Sequence, residues 1–513
     1  MPLMVYIKRA FFNRMALGVF MLMMYAAVIY FAWYTGASTV IKRDQWHYLM
    51  MLTKYFETGF DFHLLTLMHG SNFQLGYNAW FVLNGVWFGL NTQLELFLGL
   101  FFLGGFLVLL FREFDASLKH NSAPLQRQLM FVLMLMIALS FHQIISFTYS
   151  LLSFGAFICQ LLMMLFISLL SKYLTDRQAA RSLVPIMALV MLLLGASFAG
   201  GGWLIYLGAA IVTICSWIVT HRPPKEKIIM LGGSLLASAA VLLLINSFEV
   251  GESFVKTSKL AYIFQHFDQA VIFMLILLAN SIFDINLLQK AVAFEVVYVI
   301  GGTIGALYLM GLYLFYKTRM WEKTYAPLYL ISYFWIFSLA LLLYRFPIFG
   351  ATGAAFPRYA SALQLGLLGV LWVVIYWART LTGNKAGVVW IIVGLTTAVP
   401  YFLHLQSAIR AAPFVRNAEA NSIKTVLSEK FGKKSEVCPN EQFCREGVVT
   451  LKKHRLNIYR DKDGSIPLND ITIKFKRWGP QSTRAGIVPH VQPNGYAGIW
   501  FRLEADPGLG KVQ

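Results

Sequence analysis

Leu17–Tyr34 reads LGVFMLMMYAAVIYFAWY, a stretch without a single charge, and it decides what kind of chain this is. An α-helix of about 18 residues is what crossing a hydrocarbon core requires. Lys8, Arg9 and Arg14 precede it. Basic flanks stay on the cytoplasmic side, so the N-terminus is expected there and the residues after the span on the opposite face. Those residues are Lys42-Arg43-Asp44-Gln45-Trp46-His47-Tyr48, an acid, two bases, two aromatic rings and a histidine at a membrane surface. The apolar stretch is too long, and too closely followed by others, for a cleaved signal peptide.

The rest of the chain agrees. Of 513 residues, 58% are hydrophobic and only 13% charged, with a mean hydropathy of +0.62. Soluble proteins carry about 25% charged residues. The fold class is therefore an all-α polytopic membrane protein. A net charge of +19 is spread over short loops and the tail, as orientation signals require. No basic stripe with interleaved aromatics appears, which argues against nucleic acid. The surplus in the tail suits anionic lipid head groups or an anionic acceptor.

Basic loops number the remaining spans. They are expected near 91–111, 128–146, 149–171, 183–199, 202–220, 228–247, 294–316, 325–344, 360–378 and 387–405. That makes about 11 crossings, with the N-terminus inside and the C-terminal tail outside. Ala270–Phe283 is apolar but short for a crossing, and counting it would put Lys317-Thr318-Arg319 outside. It is expected to be interfacial or re-entrant. The membrane domain, 1–405, then carries outer loops at 36–90, 248–293 and 345–359. Ser197–Trp203, with Gly200-Gly201-Gly202, reads as a tight outer hairpin. No internal repeat of the transporter kind is visible.

From 406 to 513 the composition changes. Arg416–Gly432 reads as an amphipathic helix, and Val448–Leu451, Ile471–Phe475 and Ile499–Leu503 as strands. Turns are expected at Asp463-Gly464 and Asn494-Gly495. The expectation is a small α+β C-terminal domain. Cys438 and Cys444 are close together in this polar tail, which points to a disulfide in an oxidising compartment. No second ligand pair favours a metal instead. Cys159 and Cys215 fall in apolar spans and read as packing residues.

Acids are scarce, so each one on the outer face carries weight. A charge in the bilayer costs on the order of 3 kcal/mol or more, so such acids are either solvated or useful. Asp44 occupies the favoured place, at a helix end beside Lys42, Arg43, Trp46, His47 and Tyr48. The bland alternative is a solvated residue in an aromatic belt. Glu57 and Asp61 follow in the same loop as alternative acids. His63, His69, Ser71 and Asn72 are able to bond sugar hydroxyls or phosphate, although a lone histidine is more often structural. His47, His63 and His69 lack the spacing of a helical zinc site, so no metal or other cofactor is expected; a divalent ion beside Asp44 stays open. Later loops supply cations: Lys256, Lys259, Arg345, and Arg358 beside Tyr359 at a helix rim. A guanidinium there is suited to bidentate phosphate binding or, less specifically, to head-group anchoring.

In this layout the chain resembles the GT-C superfamily of integral membrane glycosyltransferases. Those enzymes carry an acidic residue just beyond the first span, amphipathic helices in the same loop and often a soluble C-terminal domain. Asp44 matches the acid, Tyr55–Leu67 the interfacial helix and 406–513 the tail. Paired acids are absent, since Gln45 follows Asp44. Within the superfamily the layout is most similar to bacterial O-antigen glucosyltransferases of the Gtr kind. The resemblance implies an inner-membrane enzyme with a periplasmic tail, taking a hexose from a polyprenyl-phosphate (undecaprenyl-phosphate) donor to a glycan or glycolipid such as lipid-linked O-antigen of lipopolysaccharide. Asp44 would be the base of an inverting displacement. Arg358, Lys256 and His69 would hold the donor phosphate, and Trp46, His47, Tyr48, Asn72 and Tyr359 would contact sugar or acceptor. Membrane lipids, a donor-lipid synthase and a flippase are the implied partners. The competing readings are a lipid-linked oligosaccharide flippase or other transporter, an O-antigen ligase or polymerase, and a scaffolding membrane protein.

Overall fold

The computed structural model describes residues 2–66, 74–119, 122–175, 184–198, 202–246, 259–285, 288–289, 293–431, 437–438 and 441–460. The first span is the end of α1 (Pro2–Tyr34), and a turn leads into α2 (Gln45–Thr58), α3 (Phe62–Thr66) and α4 (Leu75–Phe88). The bundle continues through α5 (Thr92–Leu118), α6 (Pro124–Ala138), the short α7 (Ile144–Thr148), α8 (Ser150–Thr175), α9 (Val184–Phe198), α10 (Trp203–His221) and α11 (Lys225–Asn246). It then runs through α12 (Lys259–Gln265), α13 (Phe267–Ala279), α14 (Phe294–Lys317), α15 (Ala326–Tyr344), α16 (Ala360–Ala378) and α17 (Gly383–Ser428), and α18 (Glu441–Lys453) closes the described chain.

Ten helices among the described residues are long and apolar enough to cross a membrane. The protein is a multi-pass membrane protein. Ten of the spans expected from the sequence coincide with them. The eleventh, 183–199, is the 15-residue α9, about 22 Å long at 1.5 Å per residue and short of the ~30 Å core. It still lies antiparallel along α8: Phe198 meets Phe154, and the Cys159 Sγ donates to the Gly195 carbonyl at 3.7 Å.

α12 and α13 meet at a bend of 96°. Lys259 stands over the Tyr344 ring at the end of α15. At the other end of the pair, Asn280 donates its amide to the carbonyls of Ala354 and Phe356. Both ends of the bent pair thus reach the connection between α15 and α16; by length and composition the pair fits a broken span as well as a re-entrant element. α13 crosses α14 so closely that a Cβ on Gly301 would lie 2.1 Å from the Leu275 carbonyl oxygen. α5 meets α8 in the same way, at Gly99 against Ser153. Small residues admit this approach in helices that lack a hydrophobic drive to associate in lipid.

Two corrections concern the tail. The expected last span and the amphipathic helix after it are a single helix, α17, 46 residues long with Pro400 and Pro413 inside it, so the 405/406 boundary falls within one element. Val448–Leu451 is helical, not a strand. Cys444, Val448 and Leu451 are buried on one side of α18 while Val449 is exposed, the i, i+4, i+7 pattern of a helix face. No strand occurs among the described residues. The other two expected strands and both expected turns lie outside them, as do residues 199–201 of the expected Ser197–Trp203 hairpin.

The expected interfacial helix Tyr55–Leu67 is also broken: Gly59, at φ 83°, ends α2 and a separate turn, α3, follows. Cys159 is buried, but Cys215 is exposed on α10. A second hydrophobic cluster caps the bundle at the end where α1 leaves and α5 and α8 begin. It joins α2 and α4 to Ile423 and Val426 of α17 and to Cys438, Cys444 and Leu451.

Candidate functional site

The turn between α1 and α2 is held from several sides. Arg43 adopts the left-handed conformation at φ 50°, which costs a side-chain-bearing residue about 1–2 kcal/mol. Its N–H donates to the Val437 carbonyl at 2.9 Å. The Lys42 carbonyl accepts the Tyr149 hydroxyl at 3.0 Å. The Lys42 ammonium pairs with Glu419 of α17, whose other oxygen accepts the Thr39 N–H at 2.8 Å. Strain of this kind persists where surrounding structure over-determines it, and functional sites are where it collects.

Asp44 stands at the N-terminal end of α2 and is exposed. An aspartate there ordinarily caps the helix with its side chain; Asp44 makes no such bond. Its carboxylate is nevertheless felt nearby. Burial, reinforced by the charge of Asp44, raises the Tyr149 phenol well above its ordinary range, while the Arg43 guanidinium opposes the shift. Burial, then Asp44, then Glu95, raise Tyr48 likewise. Both phenols remain neutral donors at any physiological pH. The Arg43 Nη2 is buried and has no hydrogen-bond partner among the described residues, and an unused guanidinium donor beside a carboxylate-bearing turn is suited to an anion.

Beneath the turn lies an acid that sequence reasoning passed over. Glu95, in the first turn of α5, is fully buried. It accepts the Tyr77 hydroxyl at 2.5 Å and the Gln45 amide at 3.4 Å. Gln45 also donates to Ser150 Oγ at 2.8 Å and accepts the Lys42 N–H at 3.2 Å. Glu95 therefore supports the Lys42–Gln45 turn from below. Its signal was available: a carboxylate inside the apolar run 91–111 is a functional candidate by default.

The other expected site residues divide. Trp46 is 1% exposed; its indole N–H donates to Val437 at 2.8 Å and its ring meets Phe431 edge-on. No face is left for a sugar to stack on, because the tail covers it. Tyr48 is buried too, bonding Gln74 Oε1 at 2.8 Å. His47, Glu57 and Asp61 are exposed on the cap.

Arg358 sits in the turn Pro357–Tyr359, which packs against α7 and Phe141–Gln143, immediately before Tyr149. Its guanidinium lies 5.0 Å from the Phe356 ring centre and 5.3 Å from that of Tyr359. Tyr359 itself is buried. His69, Ser71, Asn72 and Lys256 lie outside the described residues, as does the side chain of His63.

Cys438 and Cys444 form the expected disulfide, Cα atoms 6.1 Å apart. No group of three or more metal-ligating side chains occurs among the described residues. A shallow cleft lined by Phe166, Leu170, Tyr173, Leu192, Ile214 and Leu235 lies along the far half of α8, roughly 30 Å of helix from Tyr149. It contains no acid.

Comparison with protein-family models, with curated proteins and with solved structures finds no match for this chain.

Proposed function

We propose that this chain is a GT-C-type inverting glycosyltransferase of the bacterial inner membrane, with its N-terminus in the cytoplasm and its C-terminal tail in the periplasm. The donor is a polyprenyl-phosphate hexose, with undecaprenyl phosphate as carrier and glucose as the hexose suggested by the resemblance. The acceptor is a periplasmic glycan or glycolipid such as lipid-linked O-antigen, and donor-lipid synthesis and flipping are left to other proteins. The observation that carries the reading is an exposed carboxylate, Asp44, directly beyond the first span, on a left-handed turn held by Tyr149, Glu419 and Val437.

In this reading Asp44 accepts the proton of an acceptor hydroxyl. The hydroxyl oxygen bonds the anomeric carbon as the bond from that carbon to the phosphate oxygen breaks. Polyprenyl phosphate leaves as a stable anion, so no strong general acid is required. Base assistance of this kind contributes roughly 10²–10⁴-fold. Two guanidinium groups support phosphate binding: Arg43, with its unused Nη2, and Arg358, in the turn packed beside α7. Cations of this sort stabilise charge developing on a leaving phosphate. Lys256 and His69 remain candidates for the same role.

The test is surface-glycan mass spectrometry in the native host, comparing wild type, deletion and Asp44→Asn at matched protein levels. Loss of one hexose mass in both altered strains is the expected result. If Asp44→Asn retains the sugar that the deletion loses, Asp44 is not the base, and Glu57 or Asp61 takes its place. Unchanged glycans in the deletion strain would overturn the transferase reading.

A further inference from the structure

We propose that the disulfide-closed segment beginning at Val437 is a strap that positions the Asp44 turn, with Val437, Cys438, Cys444 and Gly447 as its positioning residues. The proposal rests on the reading of Asp44 as the reacting group.

The strap begins at one carbonyl. Val437 O accepts two donors, the Arg43 N–H at 2.9 Å and the Trp46 indole N–H at 2.8 Å. These come from either side of Asp44 in sequence, so one acceptor spans the residue that carries the carboxylate. A single carbonyl in a loop would be a poor anchor by itself, because loop backbone opens easily. Here the next residue, Cys438, is bonded to Cys444, which lies in the first half of α18. Both half-cystines are buried, at 3% and 0% exposure.

α18 in turn lies along α2. A Cβ on Gly447 would stand 2.9 Å from both Leu49 and Trp46 side-chain carbons, closer than real contacts allow. Thr450 Oγ1 is 2.9 Å from Thr53 Oγ1, and the His454 ring stacks on Phe56 at 4.0 Å. The order 447, 450, 454 against 46–49, 53, 56 makes the two helices parallel and in register. The disulfide therefore ties the acceptor of the Asp44 turn to a helix keyed onto the element that the turn begins. The turn is held at both of its ends through one covalent link.

The rest of the cap explains why a strap is required. Asp44 does not cap α2, and Arg43 is in a strained conformation. Without the Val437 acceptor the Arg43 N–H loses its partner, and relaxation of φ at Arg43 would swing Asp44. In a displacement reaction, misplacing the base by about 1 Å can cost about 10²-fold. The strap also holds Arg43, whose guanidinium is read as a donor-phosphate ligand, so loosening it is expected to lower turnover and to weaken donor affinity together.

The experiment uses the full chain in nanodiscs, with three variants: the pair Cys438→Ser/Cys444→Ser, Gly447→Ala, which drives a methyl into Trp46, and Trp46→Phe, which keeps a ring but removes the indole donor. Hydrogen exchange is read for a peptide covering 42–48 and for control peptides in α5 and α8, alongside kcat and KM for a polyprenyl-phosphate hexose. The expected result is exchange at 42–48 faster by about tenfold, the equivalent of one lost hydrogen bond, with unchanged control peptides, a lower kcat and a raised KM. Gly447→Ala and Trp46→Phe keep the test informative if the serine pair fails to fold. Unchanged exchange at 42–48 in all folded variants would overturn the strap, as would a loosened turn with full kcat. Asp44→Asn is run in parallel. If it retains full transfer, the reading of Asp44 as base fails, while the exchange data still decide whether Val437 holds the turn.

Discussion

Of the four described arginines with left-handed backbone, Arg43 at φ 50° and Arg319 at φ 53° make the clearest contrast, for their surroundings have little else in common. Arg319 lies in the connection between α14 and α15. It pairs with Glu322 three residues on, both side chains largely exposed, and the bonds across its turn are local. Arg43 is held by residues from the far end of the chain. Its own N–H is bound by Val437, and Lys42 beside it by Glu419 and Tyr149. A turn at Arg319 needs only to reverse the chain. A turn at Arg43 is kept in one geometry by groups more than 100 residues away in sequence, and that is the difference between a connection and a positioned site.

The comparison can be broken in several ways. The largest expected effect is on rate: Asp44→Asn should lower donor turnover by roughly 10²–10⁴-fold without lowering the unfolding temperature, because the side chain is exposed. An Arg319→Ala variant should turn over normally. Next comes stability. Lys42→Met leaves the buried Glu419 carboxylate, 6% exposed, without its cation, and thermal unfolding should register a loss of about 3–5 kcal/mol. Removal of the Arg319–Glu322 pair should cost about 0–1 kcal/mol. Equal losses from the two would sink the distinction.

Glu95→Ala strips the Tyr77 hydroxyl of its acceptor in a buried setting, a cost of about 1–3 kcal/mol. It should also loosen Gln45, visible as faster exchange at 42–48. Smaller again is the glycine test. Arg319→Gly should be neutral or stabilising by about 1 kcal/mol, since it relieves the backbone. Arg43→Gly gains the same relief yet should raise KM for the donor, because it deletes a guanidinium donor at the site.

The smallest effect concerns pH. Burial, then the neighbouring Lys453, lowers the His454 imidazole below its ordinary range, so the fold prefers it neutral. Below the unfolded value of about 6.5 the unfolded chain binds the extra proton first. The stacking of His454 on Phe56 should therefore weaken as pH falls from about 6.5, read as faster exchange in α18, and His454→Phe should flatten that dependence.

The parts legible in the sequence were those with a local physical cause. Each span follows from a run of apolar residues, because lipid rewards hydropathy one residue at a time. The short run Ala270–Phe283 could be set apart by length alone. The Cys438–Cys444 pairing followed from proximity in a polar tail. Other features misled for equally local reasons. Val448-Val449-Thr450-Leu451 has strand composition, but Cys444 four residues earlier shares a helical face with Val448 and Leu451, and packing on α2 overrode β-propensity. The change in composition at 405 marks a change of surroundings, and the backbone bonds of α17 continue through it. Glu95 was hidden by the very hydropathy that identified its helix.

The sequence by itself determined that this is a multi-pass helical membrane protein with an acid, Asp44, immediately beyond its first long apolar segment. Burial in lipid and the spacing of charges act on each segment separately, so these features can be read without knowing what each segment touches. Only the tertiary structure decided how that acid is held. The ties run from Lys42 to Glu419, from Arg43 and Trp46 to Val437, and from Gln45 to Glu95 and Ser150. Those partners lie about 50 to nearly 400 residues apart, and hydrogen bonds and ion pairs act only at contact distance.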